Sequence, residues 1–211
     1  MSEGELAAFY QQEAGDRADR ALDARRVAAR QEFLDLLRRE GRRTVIEPGC
    51  GPGRDGDGFA AAGLAWTGVD LSQASVNQAV ARGRDARQGS LRALPFADSS
   101  FDAAWCMSTL LHIPNADLDV ALTELARVLT PGAPAAIGLW GAASDEERVL
   151  DSDRFEPRRF FSVRSDETVR RRFGQFGPID DFRTWGDSER DWHYQWFVLR
   201  VGTTGRDASA P

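Results

Sequence analysis

Val45-Ile46 runs directly into Glu47-Pro48-Gly49-Cys50-Gly51-Pro52-Gly53, and a second apolar segment closes on Val69-Asp70. This pairing restricts the fold more than any other feature of the chain. Glycines at the end of a buried strand let the backbone approach a ligand that any Cβ would repel, and the following helix points its free N–H groups at an anionic part of that ligand. A carboxylate closing the next strand suits the two hydroxyls of a ribose. Together they predict a nucleoside-containing cofactor on a Rossmann-like sheet.

The rest of the chain supplies the layers such a sheet needs. Leu22, Ala29, Phe33, Leu36 and Leu37 recur at helical spacing between about Asp16 and Arg39, and a shorter helix with Phe9 and Tyr10 is predicted before them. From Thr44 onward, strands at Thr44 to Pro48, Ala65 to Asp70, Asp85 to Gly89, Phe101 to Met107 and Pro134 to Trp140 alternate with helices at Asp55 to Ala62, Gln73 to Arg82 and Asp117 to Leu129. After a polar stretch from Ala142 to Arg159, Ser162 or Ser165 caps a helix running to about Phe176. Asp180 to Trp185 and Trp192 to Val201 are joined by Gly186-Asp187-Ser188-Glu189, a connection short enough for an antiparallel hairpin. The expected fold is α/β, a Rossmann-like three-layer sandwich with a seven-stranded, mostly parallel sheet, an antiparallel last strand and N-terminal lid helices. One domain is expected over residues 1–201, with the lid in 1–41 and the core in 42–201, followed by a disordered tail in 202–211.

Composition narrows the function. The net charge of −6 opposes a nucleic-acid substrate, because neutralising phosphates drives that binding. All 27 basic residues are arginine. No apolar run reaches the length of a membrane span and Met1-Ser2-Glu3-Gly4-Glu5 shows no secretory signal, so a cytoplasmic location without membrane or nucleic-acid partners is expected. Cys50 and Cys106 give neither a disulfide framework nor a metal-ligand spacing, and no metal is expected.

Gly51-x-Gly53-x-x-Gly56 satisfies the dinucleotide pattern letter for letter, but that pattern alone is weak. Glu47 separates the readings. A negative charge there would disfavour a pyrophosphate, whereas it suits the ammonium of an amino-acid moiety, directly or through water. The bland alternative, a strand-to-helix turn, gives no reason for the acid before the glycines.

The stretch from Thr44 to Gly138 resembles the class I S-adenosylmethionine-dependent methyltransferases. Val45 to Gly53 is similar to their first motif and Gly68-Val69-Asp70-Leu71-Ser72 to their second. Leu94-Pro95-Phe96 with Ser100-Phe101-Asp102 is similar to the approach to their fourth strand, and Leu122-x-Glu124-Leu125-x-Arg127-Val128-Leu129-x-Pro131-Gly132 to the helix and turn before their fifth. The resemblance implies that Gly49, Cys50, Gly51 and Gly53 wrap the methionine part of the cofactor with Glu47 beside them. It also implies that Asp70 holds the ribose, with Leu71 and Ser72 next to it and Leu71 against the adenine. At Ser90, before Leu91, the family usually carries Asp to accept a bond from the adenine amino group; a serine hydroxyl accepts that bond less strongly. Pro131-Gly132-Ala133-Pro134 likewise replaces a usual double glycine.

Backbone carbonyls at Cys106 and Met107 can bind the cofactor's amino group, while both side chains also suit simple core. His112, in Thr109-Leu110-Leu111-His112-Ile113-Pro114, matches a family histidine near the substrate and can take a proton at neutral pH; a packing role competes with that reading. Tyr10 resembles the tyrosine of family lid helices, and equally suits a half-buried aromatic on an amphipathic helix. The excess of arginine among Arg158, Arg159, Arg164, Arg170, Arg171 and Arg172 reads mostly as a solvated face, with Arg158 or Arg159 able to attract an acidic substrate. The expected function is methyl transfer from S-adenosylmethionine to an O, N or C atom of a small molecule. Its rivals are a cofactor-binding protein without catalysis and an NAD(P)-linked oxidoreductase. The sequence leaves the acceptor and the oligomeric state open.

Overall fold

The computed structural model describes residues 2–186 and 191–202. Two compact units account for them, one from the described residues of 1–95 and 149–160, the other from those of 96–148 and 161–211. In the first, the chain order is α1 (Glu3–Asp19), α2 (Ala24–Arg39), β1 (Thr44–Pro48), α3 (Arg54–Ala61), β2 (Ala65–Asp70), α4 (Gln73–Ala81) and β3 (Asp85–Gln88). Strand β1 runs parallel to β2 with Thr44 opposite Ala65, and β2 runs parallel to β3 with Thr67 opposite Asp85. Val45 and Ile46 are wholly buried, as a short apolar run at the centre of a parallel sheet requires.

The helix expected from Asp16 to Arg39 is two helices. Ser2 starts α1 with a capping box to Glu5, so this helix is far longer than the short one expected around Phe9 and Tyr10. The chain then breaks, and Asp23 opens α2 by accepting from the N–H groups of Arg25 (2.8 Å) and Arg26 (3.2 Å). An N-cap aspartate outcompetes the apolar period that continues through it.

From Phe96 onward the order is β4 (Ala103–Met107), a 3₁₀ turn at Leu110–His112, α5 (Leu118–Val128), β5 (Pro134–Ala142), β6 (Glu146–Val149), β7 (Phe160–Val163), α6 (Asp166–Phe173), a second 3₁₀ turn at Gly174–Phe176, β8 (Ile179–Gly186) and β9 (Trp192–Arg200). Strand β5 is parallel to β4, while β9 runs antiparallel to β5 and to β8. The main sheet has seven strands in the order β3-β2-β1-β4-β5-β9-β8, the expected Rossmann-like architecture. Ser165, not Ser162, caps α6 by accepting from the Thr168 N–H. The polar stretch before it hides β6, which pairs with β7 and lacks any alternation of apolar residues. The expected turn residues 187–189 and the tail after Gly202 lie outside the described residues. Among those described, no helix is long and apolar enough to cross a membrane, and no cluster of three or more His, Cys, Asp or Glu could hold a metal ion.

Phe197 on β9 is wholly buried between Phe173 (5.2 Å, edge-on) and Phe182 (5.4 Å, stacked). Phe197→Ala is expected to lower the unfolding free energy by about 3–5 kcal/mol, read as a shift of the urea midpoint with an unchanged slope.

Candidate functional site

At the end of β1 the loop takes left-handed conformations at Gly49 (φ 69°), Gly51 (φ 53°) and Gly53 (φ 74°), which side chains rarely adopt. A Cβ on Gly53 would also lie 2.9 Å from the Cβ of Ala79. The turn is fixed by its own amides. Gly49 and Cys50 donate to the carbonyl of Val69 (2.7 and 3.1 Å), and Gly51 donates to Oδ2 of Asp70 at 2.8 Å. Gly56, the last glycine of the dinucleotide pattern, packs its bare Cα side against the indole of Trp66, where a Cβ would stand 2.9 Å from the ring. Its place is explained by helix-to-strand packing.

Asp70 closes β2 and accepts a second amide bond, from Ser72 N–H to Oδ1 at 2.8 Å. Burial raises its pKa, against the lowering effect of these two amides. The next residues lead straight into α4: the Leu71 carbonyl accepts from Gln88 (3.0 Å), and the Ser72 hydroxyl caps the helix through Ser75 N–H. Gln11 of α1 joins this point, its Oε1 accepting from Ala74 N–H (3.0 Å) and lying 3.3 Å from the Ser72 hydroxyl. After β3, the Ser90 hydroxyl donates to Glu3 Oε1 (2.6 Å) and accepts from Arg92 N–H (2.9 Å), with Leu91 buried beside it.

Glu47 is 1% exposed and lies in an ionic cluster. Its Oε2 accepts from Trp66 Nε1 at 2.8 Å, and Oε1 is 3.7 Å from Arg26. Arg26 and Arg30 of α2 also converge on buried Asp55, through Nε at 2.6 Å and Nη1 at 2.8 Å. Burial, then the nearby charge of Asp55, raises the Glu47 carboxyl well above its usual 4.5. The Cys50 thiol is also pushed well up, first by burial and then by Asp70 and Glu47, which disfavours the thiolate.

Tyr10 is held beside Arg159, whose guanidinium lies 4.5 Å from the Phe9 ring and 5.9 Å from the Tyr10 ring. Asp153 grips the same guanidinium in a fork, with Nε to Oδ2 at 2.9 Å and Nη2 to Oδ1 at 2.5 Å. Gln12 donates to the Glu156 carbonyl at 2.7 Å, tying α1 to the segment before β7.

In the second unit, Cys106 and Met107 end β4 and are buried. Ser108 follows with φ 56°, an uncommon conformation for a residue with a side chain, and its hydroxyl is 3.2 Å from Tyr194 Oη. The Tyr194 phenol fits because residue 138 is glycine, whose missing Cβ leaves its space to the Tyr194 hydroxyl and the Met107 sulfur. His112 is 9% exposed and meets Phe161 edge-on at 4.8 Å.

The arginines expected to form a solvated face are largely engaged. Arg158 pairs with Asp151 (3.1 Å) and Glu156 (2.8 Å), and Arg172 with Asp119 (2.7 Å). Arg170 stacks on Phe182 at 3.8 Å, and Arg164 is buried. Arg158 and Arg159, expected to attract an acidic substrate, both spend their charge on neighbouring acids.

The sequence family described as "Methyltransferase domain" matches residues 46–137. The malonyl-[acyl-carrier protein] O-methyltransferase of Erwinia billingiae (strain Eb661) is 37% identical over 146 residues, covering 68% of this chain and 54% of that protein. The malonyl-[acyl-carrier protein] O-methyltransferase of Pseudescherichia vulneris is 34% identical over 174 residues, 76% of this chain and 67% of that protein. The chain belongs to the class I S-adenosylmethionine-dependent methyltransferases. It spans about half the length of the first relative and two thirds of the second. In fold it is similar to the Burkholderia thailandensis 1,6-didemethyltoxoflavin-N1-methyltransferase, solved with 1,6-didemethyltoxoflavin and S-adenosylhomocysteine; the TM-score is 0.72 at 19% identity, covering 95% of this chain and 91% of that one.

The structure gathers Glu47, the glycine loop, Asp70, Leu71 and Ser72 around one turn of the first unit. Ser90 and Leu91 follow β3, and Tyr10 is on α1. Cys106, Met107 and His112 belong to the second unit. Three engaged residues escaped the sequence reading: Gln11, Glu3 and Tyr194. Only Gly138, a glycine inside an apolar strand, signals the last of these.

The raised carboxyl of Glu47 fixes the sign of a pH effect. An acid with a raised folded pKa contributes stability that is fully present below its unfolded value and is lost as the pH rises through the folded one. Glu47→Gln is therefore expected to melt at a higher temperature than the parent at pH 8, the gain vanishing as the pH falls to 4.5, the ordinary glutamate value. Parallel thermal scans across that range check it.

Proposed function

We propose that this protein is a single-domain, cytoplasmic enzyme that transfers a methyl group from S-adenosylmethionine to an O, N or C atom of a small molecule. The observation that carries the reading is the Asp70 carboxylate, fixed by two amides at the mouth of a loop whose Gly49, Gly51 and Gly53 hold left-handed conformations. The donor set fits the cofactor. Gly49, Cys50, Gly51 and Gly53 pass along its methionine part, Glu47 offers a carboxylate for the ammonium, and Asp70 retains lone pairs for the ribose hydroxyls. Leu71 and Leu91 give apolar surface to the adenine, with Ser72 beside them. Ser90, which donates to Glu3 and accepts from Arg92, retains one lone pair for the adenine amino group. Carbonyls at Cys106 and Met107 add acceptors, and Tyr10 on α1 belongs to a lid formed by the N-terminal helices.

When bound, S-adenosylmethionine supplies an electrophilic methyl carbon on a sulfonium and departs as S-adenosylhomocysteine. The protein's own work is positional: the loop and lid orient and exclude water, and the acceptor's lone pair is aligned behind the methyl. Where the acceptor carries an O–H or N–H, His112 takes the proton as the new bond forms. The relatives named as O-methyltransferases support an oxygen acceptor, a carboxylate or a hydroxyl.

Calorimetric titration with S-adenosylhomocysteine should show binding, and NAD none. Asp70→Ala removes charge-assisted bonds to the ribose worth about 1.5–3 kcal/mol, so its affinity should fall about 10- to 100-fold. No heat with the parent, or an unchanged affinity in Asp70→Ala, sinks the proposal. A panel of phenols, amines and carboxylates incubated with S-adenosylmethionine then finds the acceptor.

A further inference from the structure

Arg164, just after β7, is 1% exposed and among the largest fully buried side chains. Its direct hydrogen bonds all go to neutral oxygens. Nη2 donates to the Ile113 carbonyl (2.7 Å), Nη1 to those of Leu110 and Ser162 (3.3 Å each), and Nε to Asn115 Oδ1 (2.8 Å). Leu110 and Ile113 bracket His112, so one guanidinium grips the main chain on both sides of the imidazole. Asn115 is gripped in turn, its N–H donating to Glu147 (2.5 Å) and its carbonyl accepting from Arg172 (2.9 Å).

A buried charge whose direct partners are neutral, with Glu147 and Asp145 acting on it without a direct bond, is a poor source of stability, and apolar replacements of similar volume are often neutral. What a guanidinium does provide is a planar fork of donors that several acceptors read at once; an ammonium on a flexible stem cannot reproduce it. Around His112 the turn is otherwise short: its own N–H donates to the Thr109 carbonyl at 3.0 Å. We propose that Arg164 is a positioning residue, whose guanidinium locks the Leu110–Asn115 turn so that the His112 imidazole keeps the single orientation needed to take the acceptor's proton. The catalytic half of that statement rests on the methyltransferase reading above; the locking of the turn does not.

The chain has two histidines, so a carbon–proton correlation spectrum of the full-length protein holds two ring Cε1–Hε1 signals, assigned with His112→Gln. In Arg164→Met the His112 signal should move or split. The affinity for S-adenosylhomocysteine should stay within about twofold, since the hydrogen-bond partners of the Arg164 guanidinium are Leu110, Ile113, Asn115 and Ser162, none of them proposed to hold the cofactor. Arg164→Lys should give an intermediate spectrum. A His112 signal unmoved in folded Arg164→Met overturns the proposal. Should that variant fail to fold, Asn115→Ala, which removes the acceptor of Nε together with a longer contact from Arg172 (3.4 Å), decides by the same signal: a shift supports the clamp, and an unmoved one overturns it. Failure of the parent to bind S-adenosylhomocysteine instead overturns the methyltransferase reading and leaves the clamp to be judged on the spectrum alone.

Discussion

The first unit depends on one carboxylate. Asp70 accepts from the Gly51 amide on one oxygen and the Ser72 amide on the other, and so ties the turn after β1, the end of β2 and the start of α4 into one piece. Bonds to an ionised acceptor are roughly twice as strong as neutral ones. Because main-chain amides supply them, the geometry does not depend on which side chains surround it; it depends on Gly51 holding a left-handed conformation at φ 53°. Gln11 adds the N-terminal helix to the same point.

Glu47 shows the opposite economy. A carboxyl held far above its ordinary pKa opposes folding at neutral pH, and Trp66 and Arg26 offset only part of that effect. Positions that break local rules in this way are expected where a side chain serves binding more than the fold. Burial likewise pushes the neighbouring Cys50 thiol up and disfavours its thiolate.

Much of this was legible from one-dimensional signals. Strands β1 and β2 begin and end where the apolar runs do, and Glu47, the glycines and Asp70 stand out because their residue types are unusual at strand ends. The break between α1 and α2 was not legible, because an apolar period hides a cap; neither was β6, with its exposed Glu146, Glu147 and Arg148. The site was hidden where partners are far apart in sequence. Ser90 reads as a weakened acceptor until Glu3, 87 residues away, is found on its hydroxyl. Arg164 reads as one more surface cation among many, because a run of arginines does not reveal which one turns inward.

The exclusive use of arginine has a chemical corollary. Guanidinium groups ordinarily keep their proton far beyond the range in which lysine ammonium groups lose theirs, so most ion pairs of this protein outlast strongly basic solution. Burial brings Arg164 down to about 10, with Arg172 contributing. Because this guanidinium gives up its proton more readily folded than unfolded, strongly basic solution relieves the charge buried beside β4 and leaves surface pairs such as Arg127 with Glu124 in place.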